Sequence, residues 1–255
     1  MSINTKEIIK KYNIKLTKSL GQNFLIDESV IKNIVDSAEI CDNDIVIEVG
    51  PGIGNMTCEL AKKAKKVIAV EIDQNLKPDL PKNVELIYAD ALDLIEKKQF
   101  NKIISNIPYS ISEPLLEKLL KLNFDLIVLL VGENFYSLLS KDSKLSIIAD
   151  SFFKIEKISD VPRTSFDPSP RVDSVLIRIK KKLPSEKEKI IQEFVLQSDK
   201  KVKNALINAL TRTKKLTQKQ AKEKLKGIPD RLLDKLTSYL SNEQFKIICD
   251  YLNSL

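Results

Sequence analysis

The sequence has no histidine, no tryptophan and only three cysteines. Without histidine, Ser–His and Cys–His nucleophilic catalysis is excluded and the commonest metal ligand is missing. Cys41, Cys58 and Cys249 are scattered, with neither the spacing of a metal site nor the even count of a disulfide framework. Long apolar runs are lacking as well. The longest, Leu126 to Val131, falls far short of a membrane span. The N-terminal stretch carries Lys6, Glu7, Lys10 and Lys11 and no apolar signal-peptide core. These absences lead us to expect a cytoplasmic protein with no membrane association and no metal. Any chemistry it performs runs without an imidazole.

Charge, in contrast, is plentiful and unevenly spread. The net charge is +7, and Leu183 to Leu255 holds 15 Lys+Arg against 9 Asp+Glu, a surplus of six. A basic terminal third beside a more balanced remainder points to a polyanionic partner. A solvated, lysine-rich surface is the equally simple alternative.

Asp27 is placed to cap a helix running to about Ile40, with Val30, Ile31, Ile34 and Val35 on one face. A short helix is also expected over Thr5 to Tyr12. From Asp44 the chain alternates. Strands are expected over 44–49, 66–72, 84–88, 102–105 and 124–131, and helices over 54–64 and 113–122. Several of these strands lack a polar face, as in a parallel sheet covered on both sides. Two further strands, 154–161 and 172–180, flank a proline-rich stretch and suit an antiparallel closing pair. Lys180 to Pro184 reads as a linker, beyond which the period is helical, broken at Gly227-Ile228-Pro229. The expected domains are 1–182 and 183–255.

The first strand ends Ile47-Glu48-Val49 and runs into Gly50-Pro51-Gly52-Ile53-Gly54-Asn55. A glycine turn here lets backbone approach a ligand at a helix N-terminus. A dinucleotide fingerprint needs glycine at 50, 52 and 55, but position 55 is asparagine. Glycines at 50, 52 and 54 after an acidic residue suit S-adenosyl-L-methionine instead. Glu71 ends the second strand, where its carboxylate can accept from both ribose hydroxyls. Asp90 follows the third, where it can take the adenine amino group. Open α/β sheets bind ligands at this edge, so two acids there beside a glycine loop are unlike ordinary loop acids.

The fourth strand ends Asn106-Ile107-Pro108-Tyr109. An adenine N6 amine is a poor nucleophile because its lone pair is delocalised into the ring. Two acceptors holding its N–H groups favour a more tetrahedral nitrogen with the lone pair aimed at a methyl donor. The Asn106 side-chain oxygen and the Ile107 carbonyl can be those acceptors. Pro108 sets the chain direction, and Tyr109 offers a flat face for a base held outside its stack.

These motifs, with Lys18-Ser19-Leu20-Gly21-Gln22-Asn23-Phe24-Leu25, Val70-Glu71-Ile72-Asp73 and Phe166-Asp167-Pro168-Ser169-Pro170-Arg171-Val172-Asp173-Ser174, resemble the ribosomal RNA adenine dimethyltransferase family. The resemblance implies a Rossmann-like class I methyltransferase sheet, mostly parallel with an antiparallel last strand, followed by a small C-terminal α-helical domain that grips RNA. It implies that Gln22, Asn23 and Leu25 close over the cofactor and that Gly50, Gly52 and Gly54 lie beneath its methionine part. Glu71 and Asp90 would bind its ribose and adenine. Asn106 would orient the target amine, with Tyr109 and Phe166 stacking the base. Lys200, Lys201 and Lys203 match the family's basic helix. The implied reaction is dimethylation of N6 at two adjacent adenosines near the 3′ end of small-subunit rRNA, by a monomer acting within a pre-ribosomal particle.

The chain departs from the family pattern at Val131-Gly132-Glu133-Asn134-Phe135-Tyr136-Ser137, where only Glu133 matches, and in a shortened loop, Ser140 to Leu145. Three rival readings stay open. A resistance-type large-subunit rRNA adenine methyltransferase shares the core motifs. A catalytically weak ribosome-assembly factor would retain the fold. A small-molecule N-methyltransferase would need neither the basic tail nor the Asn-Ile-Pro-Tyr site.

Overall fold

The computed structural model describes residues 22–141 and 143–254. The helix expected over Thr5 to Tyr12 and the Lys18 to Gly21 part of the first motif lie outside the described residues.

Two compact units emerge. The first takes in the described residues up to Tyr136 together with Ile155–Lys180. It begins with a two-residue strand, β1 (Phe24–Leu25), and a helix, α1 (Glu28–Ser37). Asp27 caps α1 as expected, accepting from the N–H groups of Ser29 and Val30 at 3.0 and 3.3 Å. Ile31, Ile34 and Val35 bury the face that their spacing predicts. There follow β2 (Ile45–Val49), α2 (Asn55–Ala61), β3 (Lys66–Glu71), β4 (Val84–Tyr88), α3 (Ala91–Leu94), β5 (Lys102–Asn106), α4 (Ser112–Leu119) and β6 (Leu126–Gly132). Strands β7 (Phe153–Val161), β8 (Phe166–Asp167) and β9 (Ser174–Lys181) come later in the chain.

Seven strands form one sheet in the order β4-β3-β2-β5-β6-β9-β7. Neighbours from β4 to β6 pair in parallel, and β9 pairs antiparallel with β6. The mostly parallel sheet with an antiparallel strand near one edge is the expected one. Every residue of β6 is buried, in keeping with its unbroken apolar sequence. Strand order reverses between β2 and β5, which pair at only two positions, Val46 with Lys102 and Ile47 with Ile103. Beyond them the Ser105 hydroxyl donates to the Val49 carbonyl. The backbone ladder between the two strands thus stops short of their C-terminal ends, at the switch point where ligands bind in open α/β sheets.

The pairing of β1 with β8 has no counterpart in the sequence analysis. Leu25 lies opposite Phe166 and Phe24 opposite Asp167, while the Ile26 N–H donates to the Ser165 carbonyl at 2.9 Å. This ribbon ties the N-terminal segment to the proline-rich stretch. Leu25 and Phe166 join Ile34, Leu60, Ile104 and Val128 in the core.

The second unit comprises Ser137–Lys154 and Lys181–Leu255. From sequence the boundary is expected at 182/183, with no element between 132 and 153. The structure instead has two helices there, α5 (Glu133–Ser140) and α6 (Lys144–Phe152), and assigns most of that segment to the helical unit. Serine at 137, 140, 143, 146 and 151 weakens the helical signal. Ser143 and Ser146 recover it locally as a reciprocal capping box. The remaining helices are α7 (Glu186–Val195), α8 (Val202–Lys214), α9 (Gln218–Glu223), α10 (Asp230–Leu233) and α11 (Asn242–Ser254). Phe194 on α7 and Phe245 on α11 are fully buried, their rings stacked at 6.0 Å between centroids. Among the described residues no helix is long and apolar enough to cross a membrane.

Candidate active site

A cleft lies over the C-terminal ends of β2, β3, β4 and β5. Its floor is the glycine loop. Gly50 and Gly52 adopt φ of 68° and 57°, a region that side chains with a Cβ rarely enter. The Gly50 N–H donates to the Val70 carbonyl at 2.9 Å, tying the turn to β3. At Gly52 there is also no room for a side chain, since a Cβ would lie 2.8 Å from the Phe24 ring.

Glu71, at the end of β3, holds this loop with one carboxylate oxygen and its own following turn with the other. Oε2 accepts from the Gly52 N–H at 3.1 Å and Oε1 from the Asp73 N–H at 2.9 Å. Burial raises its pKa above the ordinary carboxylate value, opposed by these backbone hydrogen bonds. Asp90 caps α3, with Oδ1 accepting from the Leu92 N–H at 2.8 Å. It is exposed at the rim of the cleft.

The opposite wall is Asn106-Ile107-Pro108-Tyr109, which leaves β5 at the switch point. Asn106 Nδ2 donates to the Asn23 carbonyl at 3.3 Å, which fixes the amide and leaves Oδ1 as an acceptor. The Tyr109 hydroxyl shares a 2.6 Å hydrogen bond with Ser174 Oγ. Gln22, Asn23 and Leu25 also line the cleft, as does Phe166. Gln22 commits its amide nitrogen to Asp73 at 2.8 Å. Phe166 is only 3% exposed and serves the core as well as the cleft.

One expected cofactor residue is displaced. Gly54 does not line the cleft. It begins α2 with φ of 83°, and a Cβ there would lie 2.7 Å from Leu80. Its need for glycine comes from the turn and from close packing. The basic residues differ in setting too. Lys200 and Lys201 precede α8, and their ammonium groups contact Gln197 at 3.1 Å and Asp234 at 3.3 Å. Lys203 lies in the first turn of α8 and is exposed.

Glu48 is the residue the sequence analysis leaves without a role. It lines the cleft, is 1% exposed, and its Oε2 has no hydrogen-bond partner. Burial, aided by the nearby Glu71 carboxylate, pushes its pKa up to about 8. The signal was present as a lone carboxylate in an otherwise apolar strand. Its protonation has a measurable consequence. Between about pH 4.5 and 8 the folded, cofactor-free protein retains a proton that the unfolded chain has released, so this group makes stability fall as pH rises. Relative to the parent, Glu48→Gln is expected to gain stability progressively over that window, reaching roughly 10 °C in Tm at its upper end. A difference that does not vary with pH would contradict a neutral, buried Glu48.

The donor set fits S-adenosyl-L-methionine. A buried carboxyl group with one unpartnered oxygen, beside a glycine turn in the cleft, suits its amino-acid end, and acids follow at successive strand ends. Fold and cleft together define a Rossmann-like class I methyltransferase that uses this cofactor. The model of the family described as ribosomal RNA adenine dimethylase matches residues 13–250, and the chain belongs to that family. The ribosomal RNA small subunit methyltransferase A of Clostridium perfringens is 37% identical over 236 residues, covering 83% of this chain and 82% of that protein. Its namesake in Thermotoga maritima is 38% identical over 220 residues, with 80% and 79% covered. A crystal structure of a dimethyladenosine transferase from Plasmodium falciparum aligns with a TM-score of 0.62 at 26% identity, covering 89% of this chain and 96% of that one.

Proposed function

We propose that this S-adenosylmethionine-dependent rRNA adenine dimethyltransferase acts on N6 of two adjacent adenosines near the 3′ end of small-subunit rRNA. The observation that carries this reading is the meeting, in one cleft, of the Glu71 and Asp90 carboxylates with the Asn106–Tyr109 wall. The names of the relatives favour the small subunit over the large.

S-adenosylmethionine, when bound, supplies an electrophilic methyl group on a sulfonium. The chain does the rest by binding and orientation. Glu71 holds the ribose hydroxyls, and Asp90 takes the adenine amine through the oxygen that does not cap α3. Glu48 receives the cofactor's amino end. Asn106 Oδ1 and the Ile107 carbonyl accept from the two N–H groups of the target amine and turn its lone pair toward the methyl group. Tyr109 stacks the flipped base, with Phe166 behind it. No residue has to take up the proton, which leaves to water after transfer.

The helical unit supplies the grip on RNA. Lys203, supported by Lys200 and Lys201, contacts phosphates, which makes binding salt-dependent. The protein works in the cytoplasm as a monomer on a pre-ribosomal particle. Dimethylated N6 cannot form a Watson–Crick pair, so primer extension on treated, under-methylated small subunits should stop near the 3′ end, at the 3′ member of the adenosine pair, and at its 5′ neighbour on molecules modified only there. Stops elsewhere would contradict the proposed target.

A further inference from the structure

Gly132 ends β6 and Ser174 begins β9, and the sheet register makes them partners. Both are buried, and Tyr109 lies against both. The Tyr109 hydroxyl bonds to Ser174 Oγ at 2.6 Å. A Cβ on Gly132 would approach Cδ2, Cγ and Cε2 of the Tyr109 ring at 3.1, 3.2 and 3.4 Å. Unlike Gly50, Gly52 and Gly54, Gly132 does not have a positive φ. Its backbone therefore has no need of glycine, and the nearby ring supplies the reason for it.

We propose that Gly132 and Ser174 are positioning residues. Together they fix the height and tilt of Tyr109 as the platform for the target adenine, an inference that rests on the stacking role given above. One contact bounds the ring along its side and the other pins its far end. An alanine at 132 forces the ring to give by a few tenths of an ångström, and the hydroxyl contact resists that shift. Errors in placing the reacting nitrogen are costly to the rate. The second transfer is the more sensitive, because the monomethylated amine is bulkier and must be turned within the same space.

The test uses the full-length enzyme, S-adenosylmethionine and under-methylated small subunits. Gly132→Ala and Ser174→Ala are each expected to lower kcat by ~5- to 20-fold, with cofactor Kd within about twofold of the parent. Both should raise the ratio of monomethyl- to dimethyladenosine at matched total methylation. That ratio does not depend on how much enzyme is folded, so a merely structural defect leaves it unchanged. Tyr109→Phe should reproduce Ser174→Ala, and adding Ser174→Ala to it should cost nothing more. Parental kcat and product ratio in Gly132→Ala and Ser174→Ala, with Tyr109→Ala inactive, would overturn the positioning role and leave the stacking role standing. Parental turnover in Tyr109→Ala would overturn both. Additive losses in the Tyr109→Phe/Ser174→Ala pair would overturn the shared contact.

Discussion

Asn106→Ala is expected to lower the methyl-transfer rate by ~100-fold or more while cofactor affinity stays within about twofold of the parent. In the proposed mechanism Asn106 gives the target amine one of its two acceptors, and an acceptor that strengthens as the nitrogen becomes tetrahedral acts on the rate, not on ground-state binding. The structure makes the acceptor a fixed one. The amide nitrogen is held by the Asn23 carbonyl at 3.3 Å, so the oxygen keeps its orientation before substrate arrives. Single-turnover transfer rates and a separate cofactor titration distinguish the two effects. Unchanged turnover in the variant would remove Asn106 from the mechanism.

Glu71→Ala is expected to act the other way, weakening cofactor binding by ~1–3 kcal/mol, as for the loss of charge-assisted hydrogen bonds. Two causes contribute. In the proposed mechanism the carboxylate accepts from the ribose hydroxyls, and in the structure it also holds the glycine loop through the Gly52 N–H at 3.1 Å. A cofactor analogue lacking one ribose hydroxyl separates them. The parent should bind it less tightly than S-adenosylmethionine, whereas Glu71→Ala should scarcely discriminate. Normal affinity in Glu71→Ala would end the ribose assignment.

Much of this site is legible in the sequence because it depends on strand ends. Apolar runs locate β2 to β6, and the residues that follow each run must lie at one edge of a parallel sheet. Glu71, Asp90 and Asn106 are found in that way. The sequence hides what depends on pairing at a distance. The β1–β8 ribbon joins two strands of two residues each, too short for any alternation to register. Gly54 shares a motif and a positive φ with Gly50 and Gly52, yet it packs against Leu80, a contact no local pattern encodes. Gly132 reads as a departure from the family pattern until the Tyr109 ring is found beside it. Glu48 is visible as a charge in an apolar strand, but its unpartnered oxygen is a property of the fold alone.

The most direct test is to incubate the protein and S-adenosylmethionine with under-methylated small and large ribosomal subunits, and to analyse the digested nucleosides by mass spectrometry. The account predicts N6,N6-dimethyladenosine from the small subunit and none from the large. Dimethyladenosine from the large subunit alone, or no methylated adenosine despite demonstrated cofactor binding, would contradict it.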